Sequence, residues 1–281
     1  MERPHGLAGW MPLALPAGAL VAFFVLPFGM MIAMSFFKNL GGGAFEAAFT
    51  LENYARLFSP FFGRILLVSF GVALAVSAIA IIVAFPFTWL LVNAPRSTQV
   101  VWLIGMLALL SLSEAILGFA WSTLLSRTAG ISNLFVWLGL VEKPFSLSPS
   151  LGAVLAGVCY IAMPYAVLVL YPILSRVDPD LEAAARTLGA SPMRTFFGIL
   201  VPMHRGAIIT TFLMIFVFTL GSYLIPQILG RPTNWTLSVQ ITDQALLQSN
   251  LPFAAALSVF LVLVTLLLVL TILLVGRRAQ P

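Results

Sequence analysis

What constrains this chain most is where its charges are missing. Five stretches contain no Asp, Glu, Lys or Arg: Pro4 to Phe37, Ile65 to Pro95, Pro144 to Ser175, Gly206 to Gly230 and Gln244 to Gly276. A sixth, Ser97 to Ser126, is broken only by Glu114. A helical crossing needs about 20 residues, and a charge at mid-bilayer costs on the order of 3 kcal/mol, so each stretch suits hydrocarbon. The spacing predicts an all-α membrane protein with six transmembrane helices, over about 11–36, 66–92, 100–123, 151–174, 206–228 and 252–276. Composition agrees, with 61% hydrophobic and 8% charged residues. A soluble domain is about half apolar and roughly a quarter charged, so this chain cannot cover its own surface in water. The first stretch is flanked by one Arg and one Glu and far exceeds a signal h-region of about 7 to 15 residues, which predicts a retained helix.

An even number of crossings puts both termini on one side. One set of loops and tails then holds Arg3, Arg96, Arg176, Arg186, Arg194, Arg205, Arg277 and Arg278, and the other Lys38, Arg56, Arg64, Arg127, Lys143 and Arg231. The first set is packed into the shorter total length of loop, so the positive-inside rule predicts cytoplasmic N and C termini. The same thin spread of 14 Lys and Arg excludes a clustered face for nucleic acid, despite a net charge of +5. The lone Cys159 permits no intrachain disulfide, and neither His5 nor His204 has metal-ligand spacing to other donors.

One connection has internal grammar. Between residues 175 and 205, Asp178-Pro179 opens a short helix whose Leu181, Ala184, Ala185 and Leu188 recur at i, i+3, i+4, i+7. Gly189 can take the left-handed conformation that ends it. Ser191-Pro192 then opens a second short helix, with Met193, Phe196, Phe197 and Leu200 at the same spacing. Two such rods pinned outside the bilayer need a surface for their apolar stripes, either headgroups or a protein partner.

This stretch resembles the EAA loop of permease subunits of ATP-binding-cassette importers, roughly EAA-x3-G-x9-I-x-L-P. Gly189, Ile199 and Pro202 fall at the family spacing; Glu182 stands one place before the family's Glu position, which Ala183 occupies, followed by Ala184, and Val201 replaces the Leu. The resemblance extends over nearly the whole chain, including an outer stretch with Phe49-Thr50-Leu51-Glu52-Asn53-Tyr54. Within the family, Gly221-Ser222-Tyr223-Leu224-Ile225-Pro226 leading to Leu229-Gly230, and Leu251-Pro252-Phe253, make the chain look closest to polyamine-type permeases. The resemblance implies a type I (MetI-like) importer architecture in a bacterial inner membrane. It implies a second permease subunit, two cytoplasmic ATPase subunits that use ATP, and a periplasmic substrate-binding protein. Glu182, Ala183, Ala184, Arg186, Gly189, Ser191, Pro192, Ile199 and Pro202 would form the contact with the ATPase. The residues themselves show that this chain holds no P-loop, because its only lysines, Lys38 and Lys143, follow Phe37 and Glu142. No cofactor is expected on the chain, and no His, Cys or carboxylate cluster offers enzymatic chemistry.

Glu114 is the only acid inside a predicted crossing. On a straight helix entering near Val100 it lies about 14 residues along, roughly 21 Å deep, and shares a face with Ser111, Ala115, Gly118 and Ser122. Two readings stand: a hydrogen-bonded helix contact, or a negative site for a cationic solute. Tyr160 and Tyr165 beside Pro164, and Tyr223 beside Pro226, mark places where the backbone ladder loses a donor, as around translocation cavities, although proline is common in membrane helices. Ile131, Leu134, Phe135 and Leu138 predict an interfacial helix in an outer loop. The competing function is a gradient-driven secondary transporter or channel with Glu114 as its ion or proton site.

Overall fold

The computed structural model describes residues 11–128, 130–177, 185 and 187–278, which fall into two compact units. The first comprises residues 1–63 with 240–266, the second 64–239 with 267–281.

In the first unit, α1 (Met11–Leu20) and α2 (Leu26–Ser35) are joined without interruption by a π turn, Val21–Val25. A hairpin of β1 (Lys38–Gly41) and β2 (Ala44–Glu46) follows. Gly42 and Gly43 make its turn with φ of 60° and 87°, and Lys38 pairs with Glu46 across it. The Phe49 to Tyr54 motif proves to be a helix-end clamp. Asn53, on α3 (Glu52–Leu57), is buried and donates Nδ2 to the carbonyls of Ser35 and Phe37 at 3.0 and 2.9 Å, while Tyr54 Oη and Ser35 Oγ share a hydrogen bond of 2.7 Å. These bonds satisfy carbonyls that the end of α2 leaves without helical partners. In the same unit Phe253, wholly buried, meets Phe62 edge to face at 5.2 Å and lies 4.3 Å beneath the Arg56 guanidinium. That explains the Leu251-Pro252-Phe253 motif as an anchor for the start of the last helix.

The second unit is built on α4 (Pro60–Val92) from residue 64 onward, α5 (Arg96–Leu110), α6 (Glu114–Leu124), α7 (Ile131–Trp137) and α8 (Leu151–Leu174). Burial on α4 follows small side chains: Ala73, Val76, Ala80 and Ala84, at i+3 and i+4 steps, are at most 1% exposed. Leu67, Ile82 and Leu90 on the same helix point outward. Lipid is as apolar as leucine, so close backbone approach decides which face packs. Hydroxyls on the helix are satisfied locally, Ser77 by the Ala73 carbonyl at 2.7 Å and Thr88 by the Ala84 carbonyl at 2.6 Å. The turn between α4 and α5 is fastened to α8: Tyr171 donates to Gln99 Oε1 at 2.7 Å, Arg96 donates to Tyr171 Oη at 3.2 Å, and Gln99 Nε2 caps the carbonyls of Val92 and Ala94.

The C-terminal half continues with α9 (Pro192–Thr195), a π turn Phe196–Leu200, α10 (Val201–Met203), α11 (Arg205–Gly221), α12 (Leu224–Leu229), α13 (Leu237–Thr242) and α14 (Leu251–Arg278). Among the described residues, four helices, Pro16–Ser35, Pro60–Val92, Leu151–Leu174 and Leu251–Ile272, are long and apolar enough to cross a bilayer. Two bent pairs raise the count to six if each pair is one crossing: α5 with α6, bent by 96°, and Pro192–Met203 with α11, bent by 71°.

Two expectations of unbroken helix are corrected. The stretch 100–123 is two helices, so Ser111 lies on neither face of α6 and the depth worked out for Glu114 on a straight helix does not apply. Ser111 turns its hydroxyl back to the Leu107 carbonyl at 2.9 Å, a bond that loosens a helix end. The stretch 206–228 stops being helical at Ser222, whose ψ of 130° is extended. Pro226 supplies the reason: in a continuous helix its ring would strike the Ser222 carbonyl four residues back. Pro164, in contrast, is accommodated within an unbroken α8.

Candidate functional site

The two breaks meet. Glu114 is the first residue of α6, where unpaired amides and the helix dipole favour a negative group. Ser222, just past α11, donates Oγ to Glu114 Oε1 at 3.2 Å. Beside the carboxylate lies a cavity of about 250 Å³ whose walls include Leu110, Leu117, Ile161, Tyr165 and Phe218. The Tyr165 and Phe218 rings pack with centroids 4.9 Å apart at 49°. A carboxylate next to two aromatic rings in an apolar wall is suited to an organic cation, drawn by the charge and by the ring faces.

Of the four side chains expected along a solute path, the structure brings Glu114 and Tyr165 to one cavity and leaves the others apart. Tyr160 meets Trp121 edge to face at 5.5 Å and borders a separate, apolar cavity of about 420 Å³ with Trp102 and Pro164. Tyr223 occupies the break itself, with φ −126° and ψ −40°, and borders neither cavity. Sequence reasoning missed Phe218 and Ser222. Ser222 had a usable signal, since a proline four residues later takes the helical donor from its carbonyl; Phe218 had none, because its partner Tyr165 lies on another helix.

Short helix α12 holds the breaks in register. A Cβ on Gly118 of α6 would lie 2.7 Å from Ile228 Cδ1, and one on Gly157 of α8 would lie 2.6 Å from Leu229 Cδ1 and 2.9 Å from Ile225 Cγ2. The α12 side chains thus fill space that only glycine leaves on both neighbours.

In the segment 175–205, Glu182, Ala183, Ala184 and Arg186 lie outside the described residues. Gly189 has φ +82° and the Ala190 amide donates to the Ala185 carbonyl at 3.1 Å, the 6→1 bond of a left-handed helix stop. Ser191 caps the next helix by accepting the Arg194 amide at 3.3 Å, with Pro192 in the first turn. The expected stripe of this helix is divided. Phe196 packs on Phe85 at 5.6 Å and Leu200 is buried, whereas Met193 and Phe197 are exposed, as is Leu188 before the corner. Ile199 and Pro202 are also exposed. At the bend into α11, His204 is buried and donates Nδ1 to the Leu200 carbonyl at 2.8 Å. Among the described residues no group of three or more His, Cys, Asp or Glu could hold a metal ion.

Bent apolar helices stapled through their breaks, with a capped corner between two of them, define a helical membrane permease. Residues 53–281 match the family of binding-protein-dependent transport system inner membrane components, and the chain belongs to that family: it is a multi-pass inner-membrane permease component of an ABC importer. It is 30% identical over 247 residues to the spermidine/putrescine transport system permease protein PotB of Escherichia coli strain K12, covering 88% of this chain and 90% of that protein. It is 28% identical to the inner membrane ABC transporter permease protein YdcU of the same organism, over 74% of this chain and 70% of that one. In fold it is similar to a bacterial ABC transporter involved in import of the acidic polysaccharide alginate, with a TM-score of 0.71 at 20% identity, covering 97% of this chain and 96% of that one. The likeness supports the MetI-like architecture.

Proposed function

We propose that this chain is the permease subunit through which an ATP-driven importer passes a polyamine or a related solute carrying ammonium groups, by alternating access. The observation that carries this reading is the carboxylate of Glu114 beside the Tyr165 and Phe218 rings, at a junction of two helix breaks. An ammonium ion gains from both, and the Ser222 hydroxyl can release the carboxylate when a stronger cationic partner arrives. Similarity to the PotB permeases supports the same solute class.

In this reading the chain crosses the membrane six times, with α5 and α6 together making one crossing and α11 another, and both termini cytoplasmic. The segment 175–205 is the coupling loop, and Leu188, Met193 and Phe197 offer its exposed apolar contacts to one of two ATPase subunits. A second permease subunit completes the translocation path, and a periplasmic binding protein delivers the solute. ATP is consumed by the ATPase subunits alone.

The test is Glu114→Gln in the reconstituted complex. Removing the charge while keeping the hydrogen-bond acceptor should lower uptake of labelled putrescine and spermidine about tenfold, the counterpart of a lost charge-assisted contact of roughly 1.5 kcal/mol. Complex yield and basal ATP hydrolysis should stay at the wild-type level. Unchanged uptake kinetics would remove Glu114 from the path and this reading with it.

A further inference from the structure

A second, unrelated groove lies wholly within the second unit, on the faces of α4 and α8 remote in sequence from Glu114. It has a volume of about 420 Å³ and is bordered on α4 by Leu67, Val68, Gly71 and Ala75 and on α8 by Leu151 and Leu155. Every one of these side chains is apolar or absent. Arg64 alone brings charge, at one end. It is exposed, and among the described residues its side chain has neither a hydrogen-bond nor an ion-pair partner.

The positions along α4 fix the shape of this groove. Residues 64, 67, 68, 71 and 75 follow the i+3 and i+4 steps of one helix face, so the groove runs from Arg64 to Ala75 over about 16 Å at 1.5 Å per residue. Arg64 is also the last charge before the apolar stretch that begins at Ile65, which sets it at headgroup depth once that stretch is in hydrocarbon. Gly71 makes the notch: a Cβ there would meet no other atom within 4 Å. An apolar groove about 16 Å long that descends from an unpaired guanidinium is the complement of an acyl chain beneath a phosphate. Arginine binds that phosphate with two parallel N–H donors. The first helix of a second copy fits less well, since it has no acid between Pro4 and Phe37 to offer Arg64.

We propose that the groove from Arg64 to Ala75 is a binding site for one anionic phospholipid, its phosphate on Arg64 and one acyl chain along Gly71 between α4 and α8. The lipid fills space between helices that have no side chains to fill it.

Native mass spectrometry of the intact importer complex, exchanged into detergent with either phosphatidylglycerol or phosphatidylcholine of the same acyl length, tests the proposal. Wild type should retain one more phosphatidylglycerol than phosphatidylcholine per copy of this chain. Arg64→Ala should lower that retention about fivefold and leave phosphatidylcholine retention unchanged, which corresponds to about 1 kcal/mol per basic residue at an anionic lipid. Gly71→Leu, whose Cβ meets no other atom within 4 Å and whose longer side chain enters the notch, should lower phosphatidylglycerol retention to the phosphatidylcholine level. The proposal is overturned if wild type holds the two lipids equally, if it holds neither because another subunit covers the groove, or if both variants retain phosphatidylglycerol as wild type does.

Discussion

Gly189 allows backbone strain to be separated from steric clash. Its φ of +82° lies in the left-handed region, and a Cβ at this position would meet no other atom within 4 Å. The cost of adding a Cβ here therefore arises in the backbone. An L residue held left-handed loses roughly 1 to 2 kcal/mol, asparagine less than alanine, and a β-branched residue more than either. A cost of 1 to 2 kcal/mol shifts the ratio of formed to unformed corner by a factor of roughly 5 to 30. The 6→1 bond from Ala190 to Ala185 is the contact that would open. The assay is solute uptake per ATP hydrolysed by the complex in vesicles, with binding protein present, for Gly189→Asn, Gly189→Ala and Gly189→Val. Coupling should fall in that order, with Val lowest, while the subunits still copurify. Equal coupling by the Gly and Val forms would refute the corner as the element that transmits motion, and equal loss in the Asn and Val variants would refute backbone strain as the cause.

Two further substitutions probe packing. Gly157→Ala drives a Cβ to within 2.6 Å of Leu229 and 2.9 Å of Ile225, so α12 must shift; the expected cost is about 1 to 3 kcal/mol, read as a lowered unfolding midpoint of the purified complex, and an unchanged midpoint would contradict the close approach. Asn53→Ala removes both donors that cap the carbonyls of Ser35 and Phe37, and should cost about 1 to 3 kcal/mol and expose the Phe36 to Lys38 connection to protease, whereas Glu52→Gln beside it should not; equal proteolysis of the two variants would count against the clamp.

The α8 helix shows how much could be read from sequence. Its bounds, Leu151 to Leu174, follow directly from a charge-free run after Ser150, which caps it by accepting the Ala153 amide. The corner at Gly189 and the cap at Ser191 were equally legible, because the glycine and the Ser-Pro pair act on their own neighbours. The break in α5–α6 was not read, since hydropathy is blind to backbone direction: Ser111, Leu112 and Ser113 are as compatible with a helix as with a turn when only their polarity is counted. At α11–α12 Pro226 marked a lost backbone donor, yet charge spacing alone still drew one helix over 206–228.

What the sequence by itself determined is therefore the set of properties that depend on one segment at a time. Charge spacing determined an apolar helical membrane protein, and the glycine and serine at 189 and 191 determined a stopped and restarted helix. Only the tertiary structure decided that Glu114 meets Ser222, 108 residues away, and shares a cavity with Tyr165 and Phe218 while Tyr160 faces another. The physical reason is that lipid gives leucine and alanine little reason to be inside or outside. Which helix faces meet is then set by the fit of small residues such as Gly118 and Gly157 against α12, and fit exists only between segments.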